Sequence, residues 1–290
     1  MSGKGVTDEA DPDIAPEAYL KRLGEAGDGP RDIATAALML AALDHPEKKL
    51  GPYRAHLAEV SETAKREAGF ARDAEGAARS LGAILAGRYG YDGERMAYDD
   101  PANADLISVI DRRRGLPVAL GVLYIHAARA AGIEACGLFA PGHFLLRISV
   151  KGNEATIDAF NGAATLERER LTVPKLGAAS RLADPTLGED RDPFEPVTDI
   201  DVLLRLLNNQ KGRAIQARDT PRVIELSRRM AMIAPKRSSL SLDLARMQEA
   251  AGSLSAARIS YEQSLKTSRP GDATHNEATL ALAALKRRLN

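Results

Sequence analysis

Residues 115–162 have the sequence GLPVALGVLYIHAARAAGIEACGLFAPGHFLLRISVKGNEATIDAFNG, and most of the information about the fold lies here. The part Val118–Ala131 is apolar around most of a helical circumference, which is typical of a buried helix, and Gly132 ends it. A buried helix followed by an antiparallel meander predicts an α+β core. The predicted strands, separated by Pro-Gly, Lys-Gly-Asn and Asn-Gly turns, are Glu134–Phe139, Phe144–Val150 and Ala155–Phe160.

The residues before this segment are predicted to be helical. Residues 1–14 are polar, with Gly, Asp and Pro, and we expect a disordered lead-in. Asp32 is a predicted cap for the first of the clear helices, and the alanine-rich helices are interpreted as scaffold. Helical spacing of apolar residues predicts Ile33–Leu43, Tyr53–Ala68, Glu75–Tyr89 and Asp105–Arg113.

The residues after this segment divide into a linker and a helical tail. Residues 184–198 carry three prolines and five acidic residues, so we predict a body over 15–183, a linker over 184–198 and a tail over 199–290. Three positions recur with a displacement of 35 residues, close to the tetratricopeptide period of about 34. Two such copies cannot bury their own faces, so the tail should dock on the body. The recurring positions are Leu226, Met230 and Pro235, repeated as Tyr261, Leu265 and Pro270.

Composition excludes several classes of function. Lys plus Arg and Asp plus Glu both number 40 among 290 residues, and there are 7 Tyr, 5 Phe and no Trp. A neutral chain with few aromatic residues does not favour nucleic-acid binding. One cysteine, Cys136, and five scattered histidines predict no disulfide framework, no metal and no cofactor. No apolar run approaches a signal peptide or a membrane span, so we expect no membrane association and a cytoplasmic protein.

The residues with potential for chemistry are Pro117, His143 and Asp158, each of which lies beside a predicted turn. A histidine at the start of one strand and an aspartate at the end of the next can lie side by side. The aspartate would then fix the imidazole tautomer, as in catalytic triads. Such a triad also needs a thiol at the N-terminus of the buried helix, where the helix dipole favours the thiolate.

Four segments together resemble the SirB-type transglutaminase-like proteins, a bacterial family named after an invasion regulator. They are NADLISVIDRRRG, GLPVALGVLYIHAARAAGI, PGHFLLRI and TIDAFNGA, and the resemblance covers roughly residues 30–285. It implies a papain-like, transglutaminase-like core with N-terminal helices, followed by tetratricopeptide-like helices.

The resemblance also implies where the catalytic residues of active transglutaminases would lie in this chain. It places Gly115 on their glycine, Pro117 on their nucleophilic cysteine, and His143 and Asp158 on their histidine and aspartate. Proline has neither a nucleophilic side chain nor a backbone N–H, although it suits the first turn of a helix. The implied site therefore lacks its nucleophile, and His143 and Asp158 would be relics.

Other residues near the predicted cleft allow two interpretations each. Cys136 is interpreted as a buried strand residue, with nucleophile as the alternative. The basic run that ends at Arg114 is either a solvated helix end or an anchor for a carboxylate or an acidic peptide. Asn103 and Asn161 are turn residues that could also line the cleft.

The leading functional hypothesis is a non-catalytic regulatory or interaction module that binds a protein or peptide. The alternative is a hydrolase or acyl-transfer enzyme in which His143 and Asp158 activate water or a substrate group. A direct transcription regulator is opposed by the neutral charge. The oligomeric state does not follow from these patterns.

Overall fold

The predicted buried helix is present as α6 (Pro117–Ala130) in the computed structural model. The structure describes residues 14–27, 29–140, 143–166 and 194–289. Every residue from Pro117 to Ile125 is buried, so no face of the first two turns meets solvent. This explains the apolar composition on all sides of the helix. The predicted lead-in, residues 1–14, lies outside the described residues except for Ile14.

The described residues form helices and strands in the order helices, sheet, helices. Between α4 and α6 lie two very short strands, and short helical turns occur at Ala83–Arg88, Pro101–Ala104 and Ala159–Asn161. The strands are β1 (Asp92–Gly93), β2 (Arg114–Gly115), β3 (Glu134–Ala140), β4 (His143–Val150), β5 (Asn153–Asp158), β6 (Ala164–Leu166) and β7 (Pro196–Val197). The remaining helices are α1 (Pro16–Glu25), α2 (Ile33–Ala42), α3 (Gly51–Ala68), α4 (Ala74–Gly82), α5 (Leu106–Arg112), α7 (Asp199–Gln216), α8 (Thr220–Ile233), α9 (Ser238–Ala250), α10 (Leu254–Thr267) and α11 (Ala273–Leu289).

Five strands form one sheet in the order β6-β5-β4-β3-β7, and neighbouring strands are antiparallel. The three predicted strands are its centre. Phe144, Leu146 and Ile148 alternate along β4 and join the main core with α6, whereas Leu145 lies in a small separate cluster. At Gly121 of α6 a Cβ atom would overlap the ring of Phe144, so glycine is required where helix and sheet approach each other. The α+β arrangement is therefore present.

Two predicted helix starts are confirmed by side-chain caps. Asp32 accepts a hydrogen bond of 3.1 Å from the backbone N–H of Thr35 at the start of α2. Asp105 accepts one of 2.7 Å from the N–H of Ser108 at the start of α5. Each cap satisfies a backbone N–H that has no partner within the helix.

The predicted helix Glu75–Tyr89 differs from the observed one. Regular α4 ends at Gly82, and a π-helical turn follows over Ala83–Arg88. In this wider turn the N–H of Tyr89 donates to the carbonyl of Ile84, five residues back, at 3.0 Å. A π-helical turn contains one residue more than an α-helical turn. The spacing of apolar residues does not reveal this insertion.

The predicted boundary between linker and tail falls inside the packed body. β7 pairs with β3, and Pro196 is accepted there because an edge strand can lack one N–H donor. Thr198 and Asp201 form a reciprocal cap at the start of α7, which contributes Ile200 and Leu203 to the main core. α7 therefore packs with the body, although the sequence grouped it with the tail. Residues 184–193 of the predicted linker lie outside the described residues.

Helices α8 to α11 follow one another with a regular offset. α10 begins 34 residues after α8, and α11 begins 35 residues after α9. Leu226 and Met230 of α8 are buried in the main core, whereas Tyr261 of α10 belongs to a second cluster shared with α9 and α11. The tail is thus docked on the body through α8.

A cluster of charged side chains joins α8 to the end of α2. The Asp44 carboxylate accepts two hydrogen bonds from Arg222, at 2.5 and 2.6 Å, and two from Arg229, at 2.8 and 2.7 Å. Arg229 also pairs with Glu225, and its side chain is only 4% exposed. Burial acts to raise the pKa of Asp44, but the hydrogen bonds and charges of the two arginines outweigh it and hold the pKa below its ordinary value.

Replacing Asp44→Asn should destabilise the protein by about 3 kcal/mol, because it leaves the buried Arg229 with one carboxylate fewer. The Asp44 contribution should be present at neutral pH. Since the folded-state pKa is depressed, the contribution should be lost as the pH falls below about 4 and through that lower pKa. Urea unfolding at pH 7 and at low pH measures both effects. Glu75→Gln, which breaks an exposed pair with Arg79, is the control and should change stability by less than about 0.5 kcal/mol. Equal effects of the two substitutions would contradict this assignment.

Proteolytic cleavage within residues 184–193 should leave the two fragments associated, because β7 pairs with β3 and α7 lies in the main core. Limited digestion followed by size-exclusion chromatography should give one peak at the mass of the intact chain. Denaturing electrophoresis of that peak should show two bands. Two separate folded fragments on the column would show that the tail does not depend on the body.

Candidate functional site

The first residue of β4 and the last residue of β5 form a hydrogen-bonded pair. The register Leu146↔Ile157 brings His143 and Asp158 to the same face, diagonally across the two strands. Nε2 of His143 lies 3.0 Å from Oδ2 of Asp158. The side chain of Asp158 is 6% exposed, whereas that of His143 is 34% exposed. The predicted proximity of the two residues is confirmed, and their role in catalysis stays a prediction.

Asp158 is held as a carboxylate by three donors. Its Oδ1 accepts from the backbone N–H of Phe160 at 2.9 Å, and its Oδ2 accepts from Nδ2 of Asn161 at 2.7 Å as well as from His143. Burial acts to raise the pKa of Asp158, but the hydrogen bond and charge of His143, together with the other donors, hold the pKa below its ordinary value. An ionised Asp158 only accepts hydrogen bonds, so the shared proton lies on Nε2 of His143.

This arrangement sets the chemistry of the imidazole. With Nε2 protonated and donating to Asp158, the neutral ring of His143 presents the lone pair of Nδ1. The described residues supply no hydrogen-bond partner for that Nδ1. The pair can therefore accept a proton from a group placed next to Nδ1.

Asn161, predicted as a cleft residue, acts within the structure to orient Asp158. Its Nδ2 donates to Asp158, and its Oδ1 accepts from a guanidinium nitrogen of Arg95 at 2.9 Å. Arg95 also donates to the carbonyl of Phe160 and lies 4.8 Å from the centre of the Phe160 ring. Nothing in the sequence pattern singled out Arg95, which lies about 65 residues before its partners.

Pro117 lies two residues after a glycine of the short β1–β2 pair, which packs against Phe160. Gly93 and Gly115 are partners in the parallel β1–β2 pair, and Pro117 follows Gly115 by two positions as the first residue of α6. The ring of Phe160 covers Gly93 so closely that a Cβ atom there would lie 2.6 Å from it. Pro117 is buried and starts the helix without needing an N–H partner, as predicted for a proline at this position.

The other predicted cleft residues have different roles. Asn103 is fully buried, its Nδ2 donates to the carbonyls of Ala97 and Tyr98, and its Oδ1 accepts from Arg112. The amide of Asn103 is thus engaged by the protein, and its ligand-binding role stays a prediction. Arg114 is exposed, and its guanidinium donates to two backbone carbonyls. Its binding role stays a prediction.

Cys136 does not belong to the site. It pairs with Arg147 across β3 and β4, whereas His143 pairs with Ala140, four positions away. Four strand positions correspond to about 13 Å. Burial is the main cause that raises the pKa of the Cys136 thiol, against the opposing influence of Arg147. The interpretation of Cys136 as a strand residue agrees with this environment.

Tyr124 of α6 is a residue that the sequence analysis missed. It is 1% exposed, and its hydroxyl has no hydrogen-bond partner among the described residues. Burial and then the negative charges of Asp158 and Asp92 raise its pKa, so the hydroxyl is neutral at pH 7. No sequence signal distinguishes it from the apolar residues around it.

Within the described ranges, no three His, Cys, Asp or Glu side chains come together as metal ligands would. No helix in the described part of the chain is long and apolar enough to cross a bilayer.

A helix packed on an antiparallel sheet, with histidine and aspartate on adjacent strands, defines a transglutaminase-like α+β domain. Residues 51–208 match the family described as the Transglutaminase-like superfamily. That match covers more than half of the chain, and the chain belongs to this superfamily.

Several curated proteins are similar to part of the chain. A UPF0162 protein of Xylella fastidiosa (strain Temecula1) is 37% identical over 125 residues, which are 42% of this chain and 43% of the relative. A UPF0162 protein of Vibrio cholerae is 29% identical over 132 residues, 45% of this chain and 49% of the relative. F-box only protein 21 of Mus musculus is 33% identical over 78 residues, 27% of this chain and 12% of the relative. The matches thus span less than half the length of these relatives. No solved structure matches the chain.

Replacing Pro117→Cys should create a reactive thiol if α6 and the His143–Asp158 pair form the remains of a triad. The helix dipole and His143 should lower the thiol pKa below about 8.5 and speed alkylation. The measurement is the rate of iodoacetamide labelling against pH, with Cys136→Ser in the background so that one thiol remains. In the wild type, Cys136 should label slowly, because its pKa is raised.

The control is the same variant with His143→Ala added, in which the pKa of the introduced thiol should rise again. A thiol at position 117 that titrates normally and is insensitive to His143 would show that the helix start and the pair are not a triad geometry.

Proposed function

We propose that this protein is a non-catalytic member of the superfamily, of the SirB type, that binds a protein or peptide. The observation that carries the proposal is Pro117, which begins α6 at the position that the resemblance assigns to the nucleophile of active transglutaminases. The His143–Asp158 pair is intact at 3.0 Å, yet covalent acyl transfer through position 117 has no attacking atom.

The surroundings of the pair support the same proposal. The nitrogen of Pro117 has no hydrogen, so it cannot stabilise an oxyanion either. Cys136 lies about 13 Å along the sheet from His143 and has a raised pKa, so it does not replace the missing nucleophile. A binding role requires none of these groups to react.

The helical tail supports binding to a protein or peptide. We propose that α8–α9 and α10–α11 are two tetratricopeptide-like hairpins, given their offsets of 34 and 35 residues. Stacked helical hairpins form extended surfaces that suit peptide partners. Ile259 and Leu280, 61% and 73% exposed, place large apolar side chains on the surface of α10 and α11.

A second candidate function is hydrolysis with water as the nucleophile. It is favoured by the state of His143, whose Nε2 is held by Asp158 and whose partly exposed ring leaves Nδ1 as a base. In this function Asp158 would orient the ring and stabilise the imidazolium that forms. The two candidates differ in whether His143 is needed.

The discriminating experiment combines turnover with binding. Wild-type protein is incubated with fluorogenic peptide esters, thioesters and amides, and a random peptide library is selected on the immobilised protein. We expect the wild-type protein to hydrolyse these substrates no faster than the His143→Ala variant. The selected peptides should bind the wild type and His143→Ala with the same affinity in fluorescence anisotropy.

Hydrolysis that is lost in both His143→Ala and Asp158→Asn, with both variants folded by circular dichroism, would establish the enzyme instead. A library that yields no peptide with measurable affinity would contradict the binding function. Glu134→Gln, at the exposed first residue of β3 and six strand positions from the β3 partner of His143, serves as the control for nonspecific effects of substitution.

A further inference from the structure

A polar pocket lies between α3 and α5, and neither His143 nor Asp158 lines it. Its volume is about 470 Å³, which falls in the range of small-molecule sites. Lys48, Lys49 and Arg113 line it, together with the aromatic side chain of Tyr53. Pro52 and Ile110 add apolar wall, and Asp111 is the carboxylate in the lining.

Arg113 is the central cation of this pocket. It is the C-terminal cap of α5 in the left-handed conformation, with φ of 58°, and its guanidinium donates to the Tyr91 hydroxyl and to Nε2 of His56. The guanidinium also lies 4.7 Å from the centre of the Tyr91 ring. No carboxylate of the described residues forms an ion pair with Arg113. A half-buried guanidinium that is paired only with neutral groups retains its full charge toward a ligand.

His56 does not offset that charge. Its Nε2 accepts from Arg113 at 2.7 Å, and burial together with the neighbouring Arg113 lowers the pKa of His56. The ring of His56 is thus neutral at pH 7, so it does not balance the positive charge of Arg113. Arg113 holds its position through hydrogen bonds to His56 and Tyr91, which makes it a fixed rather than a mobile charge.

The two lysines differ in their partners. Nζ of Lys48 lies 2.5 Å from Asp111 and 3.1 Å from the Tyr53 hydroxyl. Lys49 is exposed and has no ion-pair partner in the part of the chain that the structure describes. The lining side chains of the pocket therefore carry two positive charges in excess of Asp111. The whole chain has a net charge of zero, so this excess is local.

We propose that this pocket binds the phosphate group of a small phosphomonoester. A phosphate dianion matches the two excess positive charges, whereas a single carboxylate would leave one of them uncompensated. The fork of Arg113 suits the geometry of a phosphate, and Lys49 adds a second cation. The Tyr53 hydroxyl donates to Asp111 and contributes only its ring to the pocket wall. Pro52, Tyr53 and Ile110 form the wall against which the organic part of the ligand packs. The first turn of α3, whose N-cap residue Leu50 gives no side-chain cap, adds the favourable end of the helix dipole.

This assignment also explains the basic run 112–114, because the three arginines have separate roles. Arg112 pairs with Asp100, Arg114 donates to backbone carbonyls, and Arg113 faces the pocket. The pocket site does not rest on the proposed peptide binding, so either can fail without the other.

The test uses phenyl phosphate as the probe and benzoate as a monoanion of similar shape. Isothermal titration calorimetry gives the affinities, and the imidazole resonances of the full-length protein give the location. We expect phenyl phosphate to bind at least about tenfold more tightly than benzoate, as charge-assisted contacts to a dianion require. The His56 resonances should shift on binding, and those of His143 should not.

Matched variants identify the residues. Arg113→Gln should weaken phenyl phosphate binding more than about tenfold, whereas Arg114→Gln, one position along, should leave it unchanged. Lys49→Glu, at an exposed position that does not support the fold, should weaken binding about fivefold at low ionic strength. Lys266→Glu makes the same change of charge on α10 and should have no effect.

Three results would overturn the proposal. They are equal affinities for phenyl phosphate and benzoate, equal effects of Lys49→Glu and Lys266→Glu, and binding that leaves the His56 resonances unmoved. Because Lys49→Glu does not touch the packed residues, the proposal remains testable even if Arg113→Gln fails to fold.

Discussion

The burial of α6 is the constraint on which the rest of the structure depends. A helix that is apolar on every side is stable only when other elements cover all of its faces. The sheet covers one side, where Gly121 allows β4 to approach, and α2, α3 and α7 cover the others. The helices before the sheet, and α7 and α8 after it, are therefore parts of one core.

Segments far apart in the chain are joined by arginine–carboxylate pairs around this core. The guanidinium of Arg129 in α6 donates two hydrogen bonds to the Asp199 carboxylate at the start of α7, at 2.7 and 2.9 Å. The Asp44 carboxylate after the end of α2 accepts two hydrogen bonds from each of Arg222 and Arg229 of α8. Removing such groups from water is costly, so bidentate geometry is needed to compensate. These pairs join α7 to α6 and α8 to the end of α2.

The same electrostatic principles distinguish the two polar sites. At the His143–Asp158 pair, the carboxylate is ionised because three donors surround it, and the imidazole is held in one tautomer. At the α3–α5 pocket, the guanidinium of Arg113 meets only neutral partners, and its charge remains available. At the His143–Asp158 pair the charge of the carboxylate is satisfied by protein donors. At the α3–α5 pocket the positive charge is not neutralised by the protein, and this excess charge is the reason to propose an anionic ligand there.

The sequence by itself determined the elements whose signals are local. The apolar circumference of α6, the strands β3 to β5, the cap at Asp32 and the adjacency of His143 and Asp158 all follow from periodicity and from turns between neighbouring elements. Only the tertiary structure decided that Asn103 is buried, that Arg113 alone of its run lines a pocket, and that Pro196 lies in an edge strand. Each of these depends on a partner that is distant in the chain, such as β3 for Pro196 or His56 for Arg113. Composition and spacing describe a residue's neighbours along the chain, whereas burial and charge compensation are set by its neighbours in space.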